Sequence, residues 1–280
     1  LWPPPASAAP AGPTAPPEPL GFTGLDHPQG LTVDAAGNAY VADSGNSRVV
    51  KLLADRSAQQ VLPFTGLSHP SDVAIDGDGN VYVADAGNAR VVELPAGGGA
   101  QATLPFTGLF ALSGIAVDTG GTVYVTDQFS PTTLGNSTFL GKVWKMVPGS
   151  PQTELGFGSI RQPTGIDVGT DGTVYVVESH YDRVRVLGPG GSATVESPYF
   201  SNPQAVAVDP LGDVYVADQG NNTVFEVPTG GNPPVITIDI GRTTFFPVDP
   251  TQSYIRQGQL VILANEDERK ARTAALAGQV

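Results

Sequence analysis

Cysteine is absent from the 280 residues, and methionine occurs once. Disulfides and thiolate metal sites are therefore excluded, so stability must rest on packing and hydrogen bonds. Basic residues are few, 14 against 27 acidic ones, which gives a net charge of −13. They are scattered along the chain with no basic stripe, which argues against nucleic acid and against anionic membrane surfaces as partners. No apolar run reaches the length of a membrane-spanning helix, so direct insertion of this segment is not expected. The three histidines, His27, His69 and His180, form no His-x-His or His-Glu signature.

Glycine and proline are plentiful instead, at 35 and 26 residues. With 40% hydrophobic content, that composition suits many short strands joined by turns better than it suits helices. Residues 1–17 are almost wholly Pro, Ala and small or polar residues, and are expected to act as an extended linker. The chain starts at Leu1 and not at Met. The expectation is a processed or excised segment, extracytoplasmic, either secreted or tethered through something upstream.

The remainder, residues 18–280, repeats itself. Five strand-like copies end in an acid: Ala39–Asp43, Val81–Asp85, Val123–Asp127, Val174–Glu178 and Val214–Asp218. Their tyrosines, Tyr40, Tyr82, Tyr124, Tyr175 and Tyr215, are 42, 42, 51 and 40 residues apart. A period near forty with several short strands per repeat predicts a propeller, each repeat being one blade. Within a period, alternating β-branched and aromatic residues lie between Gly, Asn and Asp turns, which is the pattern of a four-stranded antiparallel meander.

The recurring G-(V/I)-A-(V/I)-D, G-x-V-Y-V-A-D, G-N-x-R-V-V and L-P-F-T-G-L segments resemble the NHL repeat. Leu62–Leu67 and Leu104–Leu109 carry the last of these in full. The arrangement is most similar to the six-bladed extracellular sensor domains of mycobacterial receptor Ser/Thr kinases. That resemblance implies an all-β, six-bladed propeller of four-stranded antiparallel blades, and a role in binding. Five copies leave one blade to find. Gly258–Asn265 aligns without a gap to Gly37–Ser44, so a degenerate sixth blade is expected over 240–280, closed by an N-terminal strand over 18–23. A helix start with a capping box at Asn265–Ala271 is the competing local reading, leaving 265–277 open between strand and helix.

The repeated acids Asp43, Asp85, Asp127, Glu178 and Asp218 could be ligands or bases. However, Asp43, Asp85 and Glu178 each have an arginine five positions on, so turn capping and ion pairing explain the recurrence better. Departures from the repeat are the better guide to function. The loops entering each inner strand and those joining the second and third strands should share one face. On that loop-rich face the candidate ligand-binding residues are Asp72, Phe129, Leu134, Phe139, Tyr181 and Gln219, with the roughly ten-residue insert of the third repeat supplying three of them. Asp167 is a displaced acid, standing where other repeats have Thr32, Ala74, Ala116 and Ala207.

The function expected is a non-catalytic, monomeric binding or sensor propeller without a cofactor, taking a protein, peptide or small molecule. The alternative is a metal-dependent lyase or hydrolase like the virginiamycin B lyase and gluconolactonase propellers. In that case His27, His69 and His180 would be the metal ligands.

Overall fold

The computed structural model describes residues 20–130, 140–188, 191–196, 200–227, 236–239, 254–256 and 259–261. Five four-stranded antiparallel sheets follow one another along the chain. Blade 1 contains β1 (Pro28–Val33), β2 (Ala39–Asp43), β3 (Arg48–Leu52) and β4 (Gln59–Val61). Blade 2 contains β5 (Pro70–Ile75), β6 (Val81–Asp85), β7 (Arg90–Leu94) and β8 (Ala102–Thr103). Blade 3 contains β9 (Leu112–Val117), β10 (Val123–Ser130), β11 (Leu140–Met146) and β12 (Thr153–Glu154). Blade 4 contains β13 (Pro163–Val168), β14 (Val174–Glu178), β15 (Arg183–Gly188) and β16 (Gly191–Glu196). Blade 5 contains β17 (Pro203–Val208), β18 (Val214–Asp218), β19 (Thr223–Val227) and β20 (Ile236–Asp239).

The core lies between blades. Tyr40, Ala42 and Val49 of blade 1 pack on Val73, Val83 and Val92 of blade 2. Ala74, Tyr82 and Val91 then pack on Ile115 and Val125 of blade 3. The same layering joins blade 3 to blade 4 through Tyr124, Ile160 and Val176, and blade 4 to blade 5 through Val177, Val216 and Phe225. Both faces of the second strand are thus apolar, which explains why β2 and β6 are buried along their whole length. Burying each such Val or Tyr is worth roughly 1.5–3 kcal/mol.

The repeated acids are the rivets of this scaffold. Asp43, Asp85, Asp127, Glu178 and Asp218 are all fully buried. Asp85 accepts the Ser68 backbone N–H at 2.7 Å, Asn88 Nδ2 at 2.8 Å and Arg90 Nε at 2.7 Å. Asp43 does the same with Asp26 N–H, Asn46 and Arg48. The partner arginine and asparagine also reach the L-P-F-T-G-L loop, since Asn88 Nδ2 and Arg90 Nη2 both donate to the Gly66 carbonyl. One carboxylate therefore ties the entry loop, the turn and the third strand together. The tyrosine of each copy acts just as locally. The hydroxyls of Tyr40, Tyr82 and Tyr124 donate to Asp34, Asp76 and Asp118 in the first turn of their blades.

Two expectations are corrected. Among the described residues there are five four-stranded blades, not the six expected. The stretch expected to form the sixth contributes, among the described residues, a two-stranded hairpin, β21 (Tyr254–Arg256) paired with β22 (Gln259–Val261). β22 lies against β17 and β1, so the hairpin bridges the last blade and the first. Nor, among the described residues, does an N-terminal strand close a blade: Leu20–Thr23 are outside any strand, and the Thr23 N–H instead bonds the Gln59 side chain at 2.8 Å. The physical reason is visible in the sequence. The segment aligned with the β2 copies lacks both the tyrosine and the acid that fasten the other five. Residues 1–17, the segments of 240–280 outside that hairpin and the 265–277 alternative lie outside the described residues.

Candidate functional site

The five inner strands β1, β5, β9, β13 and β17 surround a central channel of about 730 Å³. Its mouth is the loop-rich face. There, backbone bonds from Gly45 to Asp26, Gly87 to Ser68 and Gly220 to Ser201 lash each second turn to the entry loop of its own blade. The second residue of every inner strand is polar, giving Gln29, Ser71, Ser113, Thr164 and Gln204, and all five line the channel. Ser44, Ala86 and Gln128, which follow the buried acids of blades 1–3, extend the same rim.

Deeper in, the wall carries two acids. Asp72 Oδ1 accepts the Val73 N–H at 2.9 Å, and Oδ2 accepts the Ile115 N–H of the next blade at 3.0 Å. Asp167 repeats the arrangement one blade pair further on, accepting Val168 N–H at 2.8 Å and Val208 N–H at 2.8 Å. Each carboxylate therefore staples two neighbouring blades from inside the channel. Protein surrounds both, and each is only partly exposed to the channel. Burial pushes Asp72 up to about 7, with the negative charge of Asp167 adding to the effect, and pushes Asp167 up to about 6. The backbone N–H bonds pull the other way and do not win. Among the described residues the lining includes no Lys or Arg to offset these charges.

Both acids depart from the repeat. Asp72 stands where the other blades have Gly30, Gly114, Gly165 and Ala205. A Cβ at Gly30 would collide with Asp72, so that glycine makes room for its neighbour's acid. In blade 4 the acid has moved from the turn position of Asp34, Asp76 and Asp118 to Asp167, leaving Gly169 in the turn, where its N–H bonds the Thr173 carbonyl.

The structure divides the residues anticipated from sequence. Asp72 belongs to the channel wall and not to the outer rim. Tyr181 is on the rim of blade 4, about half exposed, with Arg183 and Arg161 over its ring. Gln219 is also exposed on the rim, where it accepts from Asn202 Nδ2 at 3.1 Å. Phe129 extends β10 beyond the usual strand end and does not line the channel. Leu134 and Phe139 lie outside the described residues.

The histidines are not brought together. His27 and His69 line the mouth, but His180 does not and packs edge-on against Tyr181. Among the described residues no group of three His, Asp or Glu is placed to hold a metal ion. His27 and His69 have a backbone explanation. Both have positive φ (45° and 46°), as do Gln162 and Asn202 at the equivalent positions of blades 4 and 5. Polar residues such as His and Asn tolerate that left-handed turn comparatively well. Sequence reading missed the polar ring, because a single Gln or Ser at the second strand position carries no signal until the blades are arranged around one axis.

Comparison with known proteins supports this architecture. The NHL repeat matches residues 25–52, 67–94 and 200–226, which lie in blades 1, 2 and 5. No curated protein matches the chain. Among solved structures, a chain of a nidogen/laminin complex is similar at 20% identity and TM-score 0.62, covering 72% of this chain and 75% of its own. A streptogramin B lyase is similar at 13% identity and TM-score 0.61, covering 85% and 83%. The virginiamycin B lyase of Staphylococcus aureus, in a catalytically inactive form with quinupristin, is similar at 17% identity and TM-score 0.55, covering 76% and 85%. At these identities the likeness is one of fold, and a fold shared by a nidogen/laminin complex and by lyases does not select a function. None of these matches bears on the resemblance to kinase sensor domains. What they establish, with the five blades and their repeated rivets, is that this chain is a β-propeller carrying NHL repeats.

Proposed function

We propose that the chain is a non-catalytic binding module of the cell envelope or extracellular space, which takes its ligand at the channel mouth on the loop-rich face. The observation that carries this reading is the polar ring of Gln29, Ser71, Ser113, Thr164 and Gln204 around an open cavity of about 730 Å³. That volume suits a small molecule or a few side chains of a peptide. The buried acids and the αL residues before the inner strands serve the scaffold and hold the mouth in a fixed shape. In the nidogen/laminin complex a fold of this kind takes part in a protein assembly, which is consistent with such a role.

A ligand-observed NMR screen with a collection of small polar fragments and dipeptides tests the reading. Fragments are expected to bind the wild type and to lose binding when Gln29→Trp and Gln204→Trp plug the mouth, with the melting temperature nearly unchanged. Binding retained by the plugged protein would sink the assignment.

A lyase reading has one observation in its favour: carboxyls with pKa values near 6–7 in a channel are the kind of group that general acid–base chemistry uses. Incubating the protein with quinupristin and magnesium, followed by chromatography, separates the two readings. The expected result is unchanged quinupristin. Turnover that disappears in Asp72→Asn would replace the binding reading with an enzymatic one.

A further inference from the structure

Around the rim, the scaffold assigns the same jobs to the same positions, so a blade that abandons a job stands out. In blades 1, 2 and 5 the second turn reads Gly45-Asn46, Gly87-Asn88 and Gly220-Asn221. The asparagine donates to the buried acid of its blade at 2.9, 2.8 and 2.9 Å. The glycine is required because a Cβ there would run into Asp26, Ser68 or Ser201 of the entry loop. Blade 4 replaces the pair with His180-Tyr181 and so gives up both features. Its lashing bond passes to Ser179 N–H and the Gln162 carbonyl, at 3.4 Å against 2.8–2.9 Å in the others.

The entry loop shows the same freedom. The residues Asp26, Ser68, Arg161 and Ser201 all present a backbone N–H to the buried acid, whatever their side chain. Phe110 of blade 3 does so as well. Blades 3 and 4 use the side chain so released for Phe110, 56% exposed, and for Arg161. Tyr181, 47% exposed, lies under two guanidinium groups, with Arg183 Cζ 4.9 Å and Arg161 Cζ 5.9 Å from its ring centre, and His180 edge-on at 4.7 Å. Glu178 beneath them is fully buried and already engaged by Arg183, Arg185 and the Arg161 N–H. Asp182 accepts the Asn202 N–H. Among the described residues no carboxylate pairs with the Arg161 guanidinium. An exposed aromatic surface flanked by arginine, on a chain of net charge −13, has the composition of a binding hot spot for the opposite charge.

Resting on the binding reading above, we propose that the rim sector formed by Phe110, Arg161, His180, Tyr181 and Arg183 is the docking surface for an acidic peptide segment of a partner protein. A carboxylate of the segment meets the Arg161 guanidinium, while Arg183, held by Glu178, backs the Tyr181 ring, and the segment's backbone or apolar side chains lie across Tyr181 and Phe110. Local departure from an otherwise consistent repeat, at the expense of its hydrogen bonds, is what a site retained for binding looks like. Blades 3 and 4 are also the two that the NHL repeat match leaves out.

Fluorescence anisotropy with labelled octaglutamate tests this, with octalysine and a Gly-Ser octamer as comparators, at low and at physiological salt. Octaglutamate is expected to bind despite the like net charge of the two molecules. Arg161→Ala is expected to weaken it about tenfold or more, the scale of a lost charge-assisted contact, while Arg56→Ala, an exposed arginine on blade 1, leaves it unchanged. The double variant His180→Gly with Tyr181→Asn restores the turn of the other blades. It is expected to raise the melting temperature by about 2 °C or more and to abolish octaglutamate binding, which separates a binding role from a structural one. Absence of octaglutamate binding, or affinity equal in the wild type and both rim variants, overturns the proposal. If a comparator peptide binds instead, and the channel-plugging substitutions remove it, the acidic-partner assignment fails while the binding reading stands.

Discussion

At the scale of single residues, the chemistry is concentrated in Asp72 and Asp167, and their effect on stability has an unusual sign. Most native carboxylates titrate low and stabilise the fold as pH rises. These two titrate high, near 7 and 6, because burial outweighs their backbone bonds. The folded state therefore holds their protons more tightly than the unfolded chain does. The resulting contribution is fully present below the ordinary carboxylate value of about 4 and is lost as pH rises through 6 to 7. Among the described residues the other titratable groups of the channel are His27, His69 and Asp209. Asp72→Asn removes one charge while keeping an acceptor for one of the two N–H groups. Urea unfolding at pH 4.5 and pH 8 should show the substitution relatively more favourable at pH 8, by on the order of 2 kcal/mol. Comparing the two pH values cancels the amide's own loss of a hydrogen bond. An equal effect at both would mean that channel water solvates the carboxylate almost as bulk water does. Both acids could be singled out from the sequence, Asp167 as a displaced acid and Asp72 as a candidate on the loop-rich face; their burial in the channel wall could not, since each is fixed by a backbone N–H about forty residues away on the next blade.

At the scale of the element, the turn motif of acid, asparagine and arginine decides more than strand propensity does. Asp85 is fully buried and serves three donors on three segments. Asp85→Ala removes the shared acceptor of Arg90 Nε, Asn88 Nδ2 and the Ser68 N–H, while the Arg90 and Asn88 side chains keep their bonds to the Gly66 carbonyl. Breaking a buried pair in this way costs roughly 3–5 kcal/mol, so the variant is expected to melt far below the wild type. Asp78→Ala, at an exposed turn position of the same blade, should fall within about 0.5 kcal/mol. The two melts, measured side by side, check whether the motif acts as a rivet. This part of the fold was legible because the spacing from acid to arginine is local and recurs. The rim of blade 4 was legible only in outline. Tyr181 could be singled out from sequence, but the arginines over its ring come from two different segments, and one of them, Arg161, sits in a loop with no motif of its own.

At the scale of the whole molecule, the period of the repeat identified a propeller and its five copies correspond to the five blades, whereas the sixth blade expected beyond them has no counterpart among the described residues. A ring of sheets has to bring its last inner strand near its first, and a degenerate copy at the C-terminal end suggested a sixth blade for that purpose. The structure instead places the hairpin β21–β22 between β17 and β1. Among the described residues the hairpin covers the flank of two inner strands near the axis, and the outer strands of blades 1 and 5 are already paired within their own sheets. Sequence could not show this, since two strands of three residues each fall below the length at which alternation is recognisable. In a solenoid-like array each repeat rests on its neighbours, so removing a bridging piece exposes two faces at once. Truncation after Asp239 removes the hairpin and leaves all five blades intact. It is expected to lower the melting temperature by about 10 °C or more, the equivalent of a few kcal/mol, and limited proteolysis should then cut first in blades 1 and 5, while blade 3, flanked on both sides, resists. A truncated protein that melts with the full-length chain would show that blades 1 and 5 are stable without the bridge, and the hairpin would then have to be explained by something other than closure.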